Sequence, residues 1–269
     1  MKQMTTRRGV IRLFAGAALL AAGGNRAFAA KAAAGKTALI GRLIKEARAL
    51  PHVSQRIDLI SHALLGVRYQ ANTLIGGPKH PERFVVRDDA FDCVTFCEVV
   101  LAAAIARNLD EFETSLRRIR YDHGNVQYAQ RNHYFAEWSR RNIENRICQP
   151  VPITPSVTIE KTVSWHRELS KRRVSIVAIP KSTFLDNGRA LSPGDIIGFI
   201  SRRSDLDFFH TGLVAFGKEG VLLLRHASRS HGRVIEEKMA AFVTVNPVKY
   251  VTLLRATEPD APATAVQKS

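Results

Sequence analysis

Phe91-Asp92-Cys93-Val94-Thr95-Phe96-Cys97-Glu98-Val99-Val100-Leu101 is the stretch on which the rest of the chain turns. The run stays apolar to Ile105, broken only by Thr95 and Glu98, so it predicts a helix buried on nearly every side. Asp92 suits the N-cap, because its carboxylate can accept the unpaired amide hydrogens of the first turn. Cys93 then falls at the first helical position, where the positive end of the helix favours thiolate over thiol. A thiolate there suits a nucleophile. A capped core helix that happens to hold two cysteines fits the same residues, and this stretch alone does not separate the two.

Upstream, Thr6-Arg7-Arg8-Gly9-Val10-Ile11-Arg12 is a basic segment with a twin arginine. A moderately apolar run from Leu13 to Ala22 follows, and then the small-x-small pattern Ala27-Phe28-Ala29. The pattern resembles a twin-arginine export signal and predicts an exported, periplasmic protein with residues 1–29 as its leader. An ordinary secretory leader or an uncleaved anchor is the alternative, although the run is short for a membrane span. The net charge of +16 falls when Lys2, Arg7, Arg8, Arg12 and Arg26 leave with the leader, yet the remainder stays strongly basic. That charge suits an anionic polymer such as peptidoglycan, or a lipid surface. It would suit nucleic acid too, but no nucleic-acid module or aromatic-studded basic motif is present, and none is expected as a partner.

Three cysteines in an oxidising compartment are an odd number. A Cys97–Cys148 bridge with Cys93 free is one arrangement, and three thiols with two merely buried is the slightly preferred one. No Cys-x-x-Cys pair occurs, which removes zinc-ribbon and thioredoxin readings.

Residues 36–66 carry apolar positions at helical spacing, broken at Pro51 and stopped at Gly66. Val67–Gln70 reads as extended, Gly76-Gly77-Pro78 as a turn, Phe84–Val86 as a short strand, and Asp110–Arg120 as a second helix. Past Pro150 and Pro152 the pattern becomes β. Strands are expected at 156–163, 174–179, 196–200, 210–216, 221–226 and 250–255, with a polar, partly helical 165–173 and a short helix at 236–242. The tail from Thr257 is rich in Ala, Pro and Thr and is expected to be disordered. Helices first and strands afterwards imply an α+β fold with an antiparallel sheet. The organisation expected is 1–29 leader, 30–58 N-terminal helical segment, 59–256 catalytic domain and 257–269 tail.

A nucleophilic cysteine needs a base, and the base needs a third group to hold its ring. His210 opens an expected strand, His210-Thr211-Gly212-Leu213-Val214, and Gly212 leaves room for another backbone or a ligand. His226 ends the next strand, so two adjacent antiparallel strands could carry both imidazoles to one end of a sheet. His231 could replace His226 as orienter, though its Ser-His-Gly setting reads as an exposed turn. A metal site from Asp207, His210 and His226 ranks well below, because no His-x-x-x-His or Glu-x-x-His spacing supports it. The stretch Tyr128–Trp138 is dense in aromatics and hydrogen-bonding groups. It could line a groove for sugar or peptide, but Tyr134, Phe135 and Trp138 at helical spacing read first as core.

Taken together, four segments resemble the NlpC-like cysteine hydrolases of bacterial cell walls. They are Asp92-Cys93 opening an apolar helix, Pro193-Gly194-Asp195-Ile196-Ile197 before a strand, His210-Thr211-Gly212-Leu213-Val214, and His226-Ala227-Ser228. Phe91-Asp92-Cys93-Val94-Thr95-Phe96 together with Arg131-x-His133-Tyr134-Phe135 is similar to the N-acetylmuramoyl-L-alanine amidase-like branch. The resemblance spans about Leu59 to Arg255. It implies a papain-like core, with the nucleophile helix packed on a small antiparallel β-barrel or sheet and extra N-terminal helices. Cys93 would be the nucleophile, His210 the base and His226 its orienter, with a thiolate–imidazolium pair and an oxyanion held by amides of the helix start. Tyr69, Arg131, His133 and Tyr134 would be substrate-groove residues. Relatives often carry Asp-Cys-Ser-Gly; Asp-Cys-Val-Thr here favours the amidase-like branch over the γ-D-glutamyl endopeptidases. The function implied is cleavage of an amide in peptidoglycan or muropeptides, the N-acetylmuramoyl-L-alanine bond first, without cofactor. A stem-peptide endopeptidase, a non-catalytic wall-binding protein on the same fold, and an acyl transferase are the competing readings.

Overall fold

In the structure, a computed structural model that describes residues 37–259 apart from Arg167, Asp92 does cap a helix. The expected export leader, residues 1–29, and residues 260–269 of the tail lie outside the described residues. Helices are α1 (Ala38–Ala47), α2 (Val53–Ala63), α3 (Cys93–Ile105), α4 (Leu109–Arg120), α5 (Phe135–Glu144), α6 (Lys181–Asp186) and α7 (Met239–Val245). Strands are β1 (Arg68–Tyr69), β2 (Ile75–Gly77), β3 (His80–Arg83), β4 (Ala90–Phe91), β5 (Cys148–Pro150) and β6 (Val157–Val163). The series continues with β7 (Arg172–Pro180), β8 (Ile196–Ile200), β9 (Phe208–Phe216), β10 (Leu222–Ser228), β11 (Arg233–Lys238) and β12 (Tyr250–Ala256).

Helix α3 is held at its start by a reciprocal cap. Asp92 Oδ1 accepts the Val94 and Thr95 amides at 3.1 and 2.8 Å, and the Asp92 amide donates to Thr95 Oγ1 at 3.0 Å. From Thr95 to Ala104 every residue is buried, as the unbroken apolar run requires. Burying each Val, Leu or Phe of this helix contributes about 1.5–3 kcal/mol relative to exposure. Its one buried acid, Glu98, is matched by Arg120 of α4 at 2.7 Å, with only 3% and 2% of the two side chains exposed.

Helices α1 and α2 belong to the same core. Ile40, Leu43, Ile44 and Ala47 recur at helical spacing on the buried face of α1, and Val53, Ile57 and Ile60 do so on α2. Gly66 follows α2 at φ +84°, a conformation that favours glycine, and turns the chain into β1.

The sheet is ten-stranded among the described residues, in the order β4-β1-β11-β10-β9-β8-β12-β7-β6, with β5 added alongside β12. Every pairing is antiparallel except β1 with β4. One face packs on α1–α5. The other, through Val214, Leu224, Phe199 and Val251, packs on Met239, Phe242 and Val243 of α7. This is a mixed α+β architecture with the long sheet curled between helical layers.

Three expectations change. Phe84–Val86 is not a strand; the hairpin forms earlier, where Gly77 pairs with His80 and Ile75 with Arg83. The described residues of 165–173 form no helix, and β7 begins among them at Arg172. Residues 236–238, expected to start a helix, instead finish β11, and α7 begins only at Met239. The turn after Ser228 folds Arg233–Lys238 back onto β10, which places Val234 in the core, leaves Arg233 and Lys238 exposed and half-buries Glu236 and Glu237. Cys97 and Cys148 are buried free thiols, so no bridge joins them.

Candidate active site

Cys93 opens α3 directly behind β4 and its side chain reaches a cleft of about 680 Å³. Tyr69, His210, His226, Arg229 and Glu237 share that cleft. The helix lies against β9, with Cys97 Sγ 3.9 Å from Thr211 Oγ1 one turn below Cys93. The Cys93 sulfur therefore meets the β9 backbone beside His210, where the amides of Thr211, Cys93 and Val94 all point at it. These hydrogen bonds favour the thiolate, but burial and the adjacent Asp92 carboxylate outweigh them and push the Cys93 thiol up to about 12. Burial and Asp92 thus act against the thiolate that the helix dipole alone would give.

His210 and His226 are brought together by the β9–β10 pairing, with Nε2 of His210 2.6 Å from Nδ1 of His226. Their rings meet edge to face at 4.7 Å, and both touch Phe242 of α7. Burial, and then the neighbouring His226, depress His210 to about 3. His226 is also lowered by burial, against the raising effect of Glu237. Both rings are accordingly neutral near pH 7. No direct hydrogen bond joins Cys93 to His210 among the described residues.

His226 continues to Glu237, whose Oε1 lies 2.9 Å from its Nε2. In the β10–β11 register His226 faces Ile235, so Glu237 is the diagonal neighbour two residues along on the same face. Sequence reading missed this carboxylate because it assigned residue 237 to a helix. Arg233-Val234-Ile235-Glu236-Glu237-Lys238 carries no apolar–polar alternation, and only the turn at 229–232 and the pairing with β10 make it a strand. His231 does not replace His226; its Nδ1 bonds the Ser228 hydroxyl at 3.0 Å in that turn.

The other named groups divide. Tyr69 lines the cleft, and its hydroxyl is raised by burial, Cys93 and Asp92, while Arg229 lowers it. Arg131, His133 and Tyr134 lie outside the lining of this cleft. Arg131 sits over the Tyr128 ring and 3.5 Å from the buried Glu82 of β3. His133 Nε2 is 2.6 Å from the Tyr128 carbonyl, and burial lowers its ring to about 4. Tyr134 is 1% exposed, and its hydroxyl accepts the His166 amide at 3.2 Å. Asp207 is also withdrawn: its carboxylate accepts the Ala136 amide at 2.7 Å in the first turn of α5. Among the described residues no three His, Cys, Asp or Glu side chains converge as a metal site, and no helix is long and apolar enough to cross a membrane.

A family model described as AmiA-like, N-acetylmuramoyl-L-alanine amidase-like, matches residues 59–249. Crystal structures of an N-acetylmuramoyl-L-alanine amidase from Bacteroides uniformis ATCC 8492 align with 24% and 25% identity and TM-scores of 0.68 and 0.67, covering 76% of this chain and 99% of that one. A protein from Legionella pneumophila str. Philadelphia 1 aligns with 19% identity and a TM-score of 0.70, over 81% of this chain and 93% of its own. No functionally curated protein matches the chain.

Proposed function

Because the chain belongs to the N-acetylmuramoyl-L-alanine amidase-like family, we propose that it is a cysteine-dependent amidase acting on peptidoglycan or muropeptide fragments. The bond it cuts is the amide between the muramoyl lactyl group and L-alanine. The observation that carries this reading is the convergence, in one cleft, of Cys93 at a capped helix start with the hydrogen-bonded His210 and His226. The same arrangement supports a papain-like, NlpC-type core: a helix bearing the nucleophile, laid against antiparallel strands that bear the base and its orienter.

In the reaction, the neutral His210 takes the Cys93 proton as Sγ bonds to the amide carbonyl carbon. The carbonyl oxygen becomes an oxyanion. Asp92 Oδ1 already holds the Val94 and Thr95 amides, so the Cys93 amide is the helix donor left for that oxygen. Imidazolium His210 gives its proton to the departing nitrogen, the C–N bond breaks, and the stem peptide leaves with a free amine. Water then yields a proton to His210 and attacks the thioester, which releases the lactyl carboxylate and returns the thiol. A thiol pushed up to about 12 makes this proton transfer part of the attack itself rather than a step completed in the unbound site.

The Thr6–Ala29 leader supports export to the periplasm, where such a substrate lies; fractionation of cells expressing the full chain, with N-terminal sequencing, tests cleavage after Ala29. For the activity, purified muropeptides are digested and analysed by mass spectrometry. Free stem peptide plus intact sugar is the expected product. Shortened stems still attached to sugar would instead make the enzyme a stem-peptide endopeptidase, and unchanged activity in Cys93→Ala would sink the cysteine mechanism.

A further inference from the structure

We infer that Glu237 is a positioning residue which sets the tautomers of both active-site histidines and so leaves the lone pair of His210 on Nδ1. The inference rests on the cysteine–histidine reading above and extends it by one residue. A carboxylate only accepts, so at 2.9 Å from Glu237 Oε1 the proton on His226 must sit on Nε2. A neutral imidazole has one N–H, which leaves Nδ1 of His226 as an acceptor. Its partner at 2.6 Å is Nε2 of His210, and that nitrogen must therefore carry the proton. By the same count Nδ1 of His210 is bare, and no hydrogen-bond partner claims it among the described residues. Each step follows from the one before, and the chain starts at Glu237. When His210 takes the cysteine proton, positive charge builds on a ring whose Nε2–H already points along this relay towards a carboxylate.

Other groups around the relay do not supply the same constraint. His210 otherwise meets the rings of Phe199 on β8 and Phe242 on α7. His226 meets Phe242, and its titratable neighbours are Glu237 and His231. Arg225 beside it is engaged with Glu236 and Asp58. Asp92, the other carboxylate close to Cys93, is committed to the helix amides.

The test uses the full chain and needs no substrate. Nitrogen-15 shifts of labelled histidine distinguish N–H from bare nitrogen at each ring position, and Cys93 alkylation by iodoacetamide reports base assistance near neutral pH. In the native protein both Nε2 atoms are expected protonated and both Nδ1 atoms bare. Glu237→Met, which cannot accept, is expected to mix the tautomers and slow neutral-pH alkylation by at least tenfold. Glu237→Gln can still accept through its amide oxygen and is expected to retain the native tautomers and most of the alkylation rate. A protonated Nδ1 on His210 in the native protein, or native tautomers and rate in Glu237→Met, would overturn the assignment. If Glu237→Met does not fold, the native and Glu237→Gln spectra decide the matter between them. Muropeptide digestion is read separately, so a wild-type protein without amidase activity but with the expected tautomers leaves Glu237 in place and removes only the substrate reading.

Discussion

Gly212 lies beneath His226 so closely that a Cβ at 212 would stand 2.9 Å from the histidine's own Cβ. The same atom would meet Leu224 Cδ1 at 2.8 Å and the Arg225 carbonyl at 3.0 Å, and the last of these is backbone that cannot rotate away. Gly212→Ala must therefore spread β9 from β10, the two strands whose pairing joins the imidazoles. Overpacking of this kind costs about 1–3 kcal/mol. We expect a lower urea midpoint together with a loss of activity larger than the stability change explains, since the 2.6 Å histidine contact lengthens. Native activity in a folded Gly212→Ala protein would show that this contact tolerates displacement.

The helix start offers a second test, because Asp92 serves both fold and chemistry. Its Oδ1 accepts two amides of the first turn, and losing a cap costs about 0.5–2 kcal/mol. Asp92→Asn keeps an acceptor and removes the charge that raises the Cys93 thiol. We expect Asp92→Ala to lower stability by about 1 kcal/mol in denaturant unfolding. Asp92→Asn should be milder and should move the onset of Cys93 alkylation to lower pH. An unmoved alkylation profile would mean that burial alone holds the thiol up.

Alkylation of the native protein itself separates two forms of the site. With Cys93 pushed up to about 12 and His210 down to about 3, the neutral pair is the stable one, and thiolate forms only as pH rises. The rate of Cys93 alkylation should climb continuously from pH 6 to 10, these limits being roughly those within which the protein can be handled. A plateau at acid pH would reveal a preformed thiolate–imidazolium pair, as the helix dipole alone suggested.

Much of this site was legible in the sequence, and what was hidden shares a cause. Asp92, the apolar run behind it, and the helical face of α1 are local patterns whose meaning does not depend on distant partners. His210 and His226 could be paired in advance because consecutive strands usually neighbour one another. Glu237 could not, because Glu236-Glu237-Lys238 is helix-favouring composition, and only the hairpin with β10 turns it into a strand. Tyr134 is the converse: its spacing with Phe135 and Trp138 reads first as core, the family resemblance moves it to the substrate groove, and the structure buries it at 1% exposure. The forces on the thiol's ionisation are hidden for a related reason. A helix dipole can be read from sequence, whereas the burial that opposes it requires the neighbouring strand.

Acid should weaken the fold in a way that single histidines report. His133, held at about 4, and His210, at about 3, both lie below the ordinary value of 6.5, so the folded state binds fewer protons than the unfolded one in this range. Their contribution is complete above pH 6.5 and is lost as pH falls towards those lowered values. Buried Asp88, Glu98 and Asp207 are raised and pull the other way, so comparison with a variant is cleaner than the raw profile. His133→Phe keeps a ring against Tyr128 and His166 and removes the titration. Unfolding measured at pH 7.5, 6 and 5 should show the native protein losing ground to this variant on acidification, these settings being chosen to fall about the ordinary histidine range. A stability difference independent of pH would mean that His133 is not depressed.

The buried ion pair between α3 and α4 gives the largest stability effect expected. Glu98 and Arg120 meet at 2.7 Å with almost no exposure, and Arg120 Nη1 also donates to the Val85 carbonyl at 2.6 Å. Removing one partner strands a buried charge, at a cost of about 3–5 kcal/mol, whereas removing both can be nearly neutral when the volume is kept. Arg120→Met should therefore unfold at much lower urea than the native protein, and Glu98→Leu combined with Arg120→Met should recover most of the loss. Recovery distinguishes a charge effect from a packing effect, because the double variant has no more native contacts than the single one. Since Glu98 anchors α3 to α4 five residues after Cys93, the single variant should also loosen the helix that carries the thiol. Cys93 alkylation in Arg120→Met should then rise while the protein is still folded, and return towards the native rate in the double variant. If the double variant is as unstable as the single one, the pair contributes shape rather than charge compensation, and the loss of the Arg120–Val85 contact, which ties α4 to the segment before β4, becomes the larger effect.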